Sequence, residues 1–221
     1  MSGIGVLNER SLHKSLKEWY SRPGDRFEVK VGRYFIDIVR DDVFMEIQTK
    51  NFSSIKSKLE KLTESHKIKL IYPIAKEKWI LKPRLRPGLR KRKSPRRGKL
   101  LDLFYEMVYI PGMIGKPNFS LEVLMIKEHE IRKRGRSRRK RGWVTGDRRL
   151  LDIVDKVTFE RPSDWKRFLP KNLEKFTTRD IAKVNRNNIR IAQKIAYCLR
   201  NGNVIECIGK KGRANLYKLN D

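Results

Sequence analysis

Asp37 and Glu46 are separated by eight residues, and each lies inside a run of apolar and β-branched residues, YFIDIV and VFMEIQT. A carboxylate in such a setting needs a partner, because burying an unpaired charge is costly. If Asp41-Asp42 is a two-residue hairpin loop, Asp37 falls directly across from Glu46. If Gly32-Arg33 closes the preceding hairpin in the same way, Glu28 falls across from Asp37. Three acids then line one face of three adjacent strands, where like charges repel at roughly 4.5–5.5 Å. A divalent cation reverses that repulsion. The backbone carbonyl of Ile47 offers it another oxygen, and Gln48 shares the face of Glu46 by strand periodicity. The plain alternative is that these acids neutralise Lys30, Arg33 or Arg40.

The elements that must position these residues read as follows. Asn8 caps a helix to about Tyr20, with Leu12, Leu16 and Trp19 on its buried face and Glu9 on that same face. Strands at 27–31, 34–39 and 43–49 make an antiparallel meander. An amphipathic helix carries Phe52, Ile55, Leu59 and Leu62 inward, and the strand at 68–74 that follows this crossover pairs in parallel with a preceding one. Residues 100–110 predict a helix and 119–126 a strand. Residues 143–160 fit either state.

Lys and Arg number 54 against 25 Asp and Glu, giving a formal charge of +29. That excess excludes an ordinary neutral metabolic enzyme as the default and selects a polyanion as partner. Arg84–Lys99 holds nine basic and no acidic residues, and its prolines and glycines predict a loop. Arg132–Arg141 holds eight basic residues in ten, with Arg138, Arg139, Lys140 and Arg141 the densest stretch. A solvated surface run or a localisation signal is the bland reading of each. Outside both runs the charge is still +12, so the basic character is general. Four Trp, seven Tyr and nine Phe supply a real core. No apolar run approaches the ~20 residues that span a bilayer and the N-terminus has no signal-peptide core, so a cytoplasmic, prokaryotic or nucleoid-associated protein without membrane contact is expected. Cys198 and Cys207 read as packed thiols, without metal-ligand spacing.

From Pro162 the texture changes. Short helices follow Ser163 and Thr177, a longer one runs from Asn188 to Leu199, and a hairpin closes around the basic tip Gly209–Arg213. Three helices and a basic-tipped hairpin resemble a winged helix-turn-helix over residues 163–219. In that resemblance Arg190, Gln193 and Lys194 lie on the recognition helix, where they read base edges, and Lys210, Lys211 and Arg213 hold phosphates from the wing. Two units are therefore expected, 1–160 and 161–221.

The first unit resembles the PD-(D/E)XK nuclease superfamily over residues 7–75. The likeness rests on an inward Glu on a first helix, a β-meander, Asp37, eight residues, Glu46-Ile47-Gln48, then helix and strand. It implies an α/β fold, a restriction-endonuclease-like αβββαβ core with a mixed sheet, and Mg²⁺ or Mn²⁺ as cofactor. It assigns Asp37, Glu46 and the Ile47 carbonyl as metal ligands, Gln48 to the place of the family lysine, and Glu9 and Glu28 as accessory acids. This sequence has no Pro-Asp pair and carries Gln for Lys, so a displaced lysine is sought among Lys30, Lys50 and Lys56.

The expectation is a metal-dependent DNA endonuclease targeted by the winged helix to duplex or branched DNA. Double-strand cutting with one site per chain calls for a homodimer. Two other classes fit the charge: a non-catalytic DNA-binding protein on a degenerate nuclease core, and an RNA-binding or ribosome-associated protein.

Overall fold

The computed structural model describes residues 12–83, 88–135, 142–186 and 188–220. The class is α/β with a mixed sheet. Helix α1 (Leu12–Tyr20) is followed by strands β1 (Arg26–Val31), β2 (Tyr34–Arg40) and β3 (Val43–Ile47), then α2 (Lys56–Leu62) and β4 (Lys67–Pro83). The meander is antiparallel and turns at Gly32-Arg33 and Asp41-Asp42. Gly32 and Asp41 adopt positive φ, which glycine and aspartate tolerate better than most residues. Beyond the crossover helix, β4 runs parallel to β3, with Glu46 beside Leu70 and Ile47 beside Ile71.

Strand β4 continues far beyond the predicted 68–74. It pairs in parallel with β6 (Phe119–Arg134), which pairs antiparallel with β7 (Trp143–Phe159), resolving the ambiguous 143–160 as strand. The central order is β1-β2-β3-β4-β6-β7. Strand β5 (Leu89–Lys93) lies on the distal part of β4, inside the stretch expected to be wholly loop. Pro87, Gly88 and Pro95 fall outside those five residues, so nothing in them obstructs a ladder. All five are exposed, and charged side chains suit a sheet edge. Residues 100–110 form a 3₁₀ turn (Leu100–Leu103) and a short helix α3 (Phe104–Met107) rather than one helix.

The C-terminal part contains β8 (Lys175–Thr177), α4 (Thr178–Val184), α5 (Ile189–Asn201), β9 (Ile205–Lys211) and β10 (Ala214–Leu219), with sheet order β8-β10-β9. The caps match the sequence: Asp180 accepts the Thr177 N–H, and Asn188 accepts the Ile191 N–H at 3.1 Å. No helix among the described residues is long and apolar enough to cross a membrane. Cys198 is buried and its thiol is pushed up to about 12 by desolvation, whereas Cys207 is exposed, contrary to the packed role expected of it.

Two cores flank the main sheet. Leu12, Leu16 and Tyr20 of α1 pack on Ile38, Met45, Ile47, Ile71, Leu124 and Ile126. Tyr20, spaced i+4 from Leu16, completes that face, and the expected Trp19 is 52% exposed. The second core starts at Leu59, Leu70 and Phe104 and continues unbroken through Trp165 to Ile191, Ile195 and Leu199. The 160/161 boundary therefore separates the sheets without separating the cores. At this junction a Cβ on Gly202 would come within 2.5 Å of the Ile114 Cβ. Gly202→Ala is expected to cost about 1–3 kcal/mol through overpacking. Denaturant unfolding should shift as one transition, and two separate transitions would contradict a shared core.

Candidate active site

The register carries Asp37 across from Glu46, since Ile38 faces Met45, Val39 faces Phe44 and Arg40 faces Val43. It likewise sets Glu28 across from Asp37, because Phe27 faces Ile38 and Val29 faces Ile36. The three acids differ sharply in environment. Glu28 has positive φ and an exposed side chain that ion-pairs with Lys17. Asp37 and Glu46 are buried, at 8% and 9% exposure.

Asp37 is held by three donors. Its Oδ2 accepts the Ile47 N–H at 2.8 Å and the His13 Nε2–H at 3.1 Å, while Lys17 Nζ lies 3.3 Å from Oδ1. Burial alone would raise this carboxyl. The bonds from His13 and Ile47, with the charges of His13 and Lys17, outweigh it and hold Asp37 below the ordinary range. The same contact raises His13. Glu46 is shifted the other way: desolvation and the neighbouring Asp37 charge raise it, although Lys58 Nζ lies 2.6 Å from Oε1. Its other oxygen, Oε2, is buried without a hydrogen-bond partner.

That orphaned oxygen beside a second carboxylate tests the fit of a divalent cation. Mg²⁺ is commonly held by one or two carboxylates, with water and substrate phosphate as its remaining ligands. Asp37 and Glu46 supply such a donor set, hard oxygens of which one is unsatisfied. Among the described residues no group of three or more His, Cys, Asp or Glu side chains is arranged to hold a metal ion, so a site here is completed from outside those side chains.

Gln48 departs from expectation. Strand β3 ends at Ile47, so the alternation that put Gln48 on the Glu46 face ends there too. The Gln48 amide donates to the Lys50 carbonyl at 2.6 Å, the Asn51 carbonyl at 3.1 Å and Ser54 Oγ at 3.2 Å, fastening the turn before α2. Gln48→Ala is therefore expected to cost stability, about 1 kcal/mol per lost bond, with a smaller effect on any activity. Parallel measurement of unfolding midpoint and turnover checks the assignment.

The lysines also differ from the sequence-based choice. Lys30 and Lys50 are exposed, and Lys56 pairs with Glu60 at 3.8 Å. Lys58, two residues further along α2, reaches Glu46. Reasoning from the sequence missed it together with His13 and Lys17. A partial signal existed, since His13 and Lys17 are four apart on α1 and follow the buried Leu12 and Leu16 by one residue each.

Of the expected nucleic-acid residues, Arg190, Gln193, Lys210, Lys211 and Arg213 are exposed. Lys194 lies over the Tyr105 ring at 5.5 Å, toward the first unit. A cavity of about 350 Å³ between α5 and the hairpin is lined by Gln193, Tyr197, Arg200, Arg213 and Asn215. Glu9, Arg138, Arg139, Lys140 and Arg141 lie outside the described residues.

A model of the domain of unknown function DUF8091 matches residues 10–160, from just before α1 to just past β7. The chain belongs to this family. The DUF8091 stretch thus contains both buried acids, His13, Lys17 and Lys58, and it stops before the C-terminal three-stranded sheet. An "Uncharacterized protein" of Treponema pallidum (strain Nichols) is 27% identical over 221 residues, covering 97% of this chain and 87% of that relative. The similarity to that relative therefore extends through the C-terminal part as well. No solved structure matches the chain.

Proposed function

We propose that this DUF8091 protein is a metal-dependent endonuclease acting on DNA, with a restriction-endonuclease-like core and a C-terminal winged helix-turn-helix. The observation that carries the reading is the buried, unpartnered Oε2 of Glu46 beside Asp37, on an α1-β1-β2-β3-α2-β4 order. Asp37 and Glu46 would hold Mg²⁺ or Mn²⁺. When bound, the cation supplies charge neutralisation at the phosphate and a more acidic water.

The chain's own residues do the rest. The Ile47 N–H and His13 fix the Asp37 carboxylate and keep it ionised. Lys58 brings a cation to the acid pair from α2, the charge that the PD-(D/E)XK superfamily places two residues after its Glu. Arg190, Gln193 and the wing residues Lys210, Lys211 and Arg213 engage the DNA. One observation favours a second reading, a DNA-binding protein without activity: Gln48, in the place of the nuclease superfamily's lysine, is committed to a turn.

The test is cleavage of a substrate panel of duplex, single strand, flap, four-way junction and RNA with Mg²⁺ or Mn²⁺. Metal-dependent cutting of a DNA member is expected. Tight DNA binding without cutting of any member would establish the second reading, and preference for RNA over the matched duplex would overturn the DNA assignment.

A further inference from the structure

Strands β4 and β6 are parallel, and Leu81 pairs with Ile131 two and three residues before their respective ends. The two basic runs, which the sequence separates by more than thirty residues, therefore leave the sheet at the same end. That end is also the one toward which β3 points, because β3 and β4 are parallel. From Leu70, beside Glu46, to Pro83 at the tip is thirteen residues. At ~3.3 Å each that is roughly 40 Å, the length of about 12 base pairs of B-DNA at ~3.4 Å per step.

This distal sheet is an arm with little of its own core. Ile80 and Leu81 are buried yet belong to neither hydrophobic core. Around them, long basic side chains lie on indoles: Lys91 and Lys93 lie over the Trp79 ring at 5.6 and 5.2 Å, and Lys82 lies over Trp143 at 4.8 Å. The two faces differ. On one, Lys91 and Lys93 are occupied with Trp79, and Lys93 also pairs with Glu77. On the other, Arg90 and Arg92 face Lys82 and Ile80 across the β5–β4 ladder and border an open cavity of about 250 Å³. Strand alternation puts Lys78 on this second face. Nearer the end of β3, Lys78 pairs with Glu130 at 2.6 Å and Arg148 with Glu128 at 2.7 Å, in a cavity of about 380 Å³ that Arg96, Asp102, Glu106 and Thr49 also line, so the charge there is balanced. The basic side chains of this face that border no acid among the described residues therefore sit at its outer end, on Lys82, Arg90 and Arg92.

We infer that this arm is a duplex-tracking element: the Arg90/Arg92 face contacts phosphates about one helical turn away from the scissile position. The inference rests on the DNA-cleaving reading for the location of the cut end, and on strand register for the arm itself. It commits to a rod-like polyanion, since an extended strand pair of this length with arginines at alternate positions of β5 fits a regular phosphate spacing.

Binding without divalent metal tests it, using full-length protein and duplexes of 8 to 24 base pairs. Affinity should climb with length until the arm is filled. Arg90→Gln/Arg92→Gln should remove roughly tenfold or more of the affinity for long duplexes, with little change for 8 base pairs, and should lower the log–log salt slope by about 2. Lys91→Gln/Lys93→Gln makes the same charge change on the opposite face and should have the smaller effect. Equal losses from both pairs at every length, or no loss from either, would overturn the inference. Matching circular dichroism and unfolding midpoints ensure that β5 stays paired, and Lys82→Gln provides a variant on a strand that remains ordered if it does not. Because binding is read without metal, an arm effect with no cleavage would reject the nuclease alone. Cleavage without an arm effect would reject the arm alone.

Discussion

Glu46→Gln should abolish cutting of every substrate that the wild type cuts, while costing the fold less at neutral pH than Asp37→Asn does, because relief of a buried charge offsets the lost pair with Lys58. The loss of activity follows from removing one of two anionic metal ligands. The stability expectation follows from the upward shift of Glu46, caused first by desolvation and then by the Asp37 charge. A carboxyl whose folded pKa exceeds its unfolded value binds protons more tightly in the folded state. Stability therefore falls as pH rises from the ordinary glutamate value through the folded one, and above that the fold bears the full cost of the buried charge. Gln carries no such cost. Unfolding midpoints should decline across that window in the wild type and flatten in the variant. Asp37 has the opposite sign: its lowered pKa contributes stability above the ordinary aspartate value, which is lost as pH falls through the folded one. Asp37→Asn should therefore cost stability at neutral pH, on the order of 1–3 kcal/mol, while also ending activity. Two acids with equal effects on cutting and opposite contributions to the pH dependence of stability distinguish a reactive pair from a structural one.

Lys58→Met should lower the single-turnover rate by about 10²-fold or more, the usual cost of removing a preorganised charge from a transition state. Methionine keeps much of the aliphatic stem but loses the hydrogen bond that Lys58 Nζ donates to the Phe35 carbonyl. The ion pair is lost, and with it the only cation bonded to Glu46 among the described residues. Breaking one side of a buried pair costs on the order of 3 kcal/mol, so the unfolding midpoint should fall as well. Lys58→Arg separates the two effects by restoring charge and stability without the compact ammonium geometry. A rate unchanged in Lys58→Met would remove this residue from the chemistry and return attention to Lys17.

Local rules made part of this architecture legible. Two short hairpins fix a register by counting, and the counting put Asp37 beside Glu46 and Glu28 beside Asp37. The apolar runs around both acids announced burial, and the helical crossover announced parallel β4. What was not legible depends on long-range packing. Which lysine of α2 faces Glu46 is set by how the helix rotates over the sheet, so Lys58 was passed over for Lys56. Gln48 was misplaced because the strand stops at Ile47, two residues earlier than its composition suggests. Strand β5 looks like loop until the length of β4 gives it an edge to pair with. The shared core of the two units is invisible because Ile114 and Gly202 meet only in three dimensions.

The most direct measurement is single-turnover cleavage of the preferred DNA substrate by wild type, Asp37→Asn and Glu46→Gln at saturating protein and matched Mg²⁺, with binding measured in parallel. The account predicts metal-dependent cutting by the wild type, none by either variant, and undiminished DNA binding by both, because each substitution removes a negative charge from a polyanion-binding protein. Cutting that survives both substitutions, or a wild type that binds DNA and never cuts it, would contradict the account.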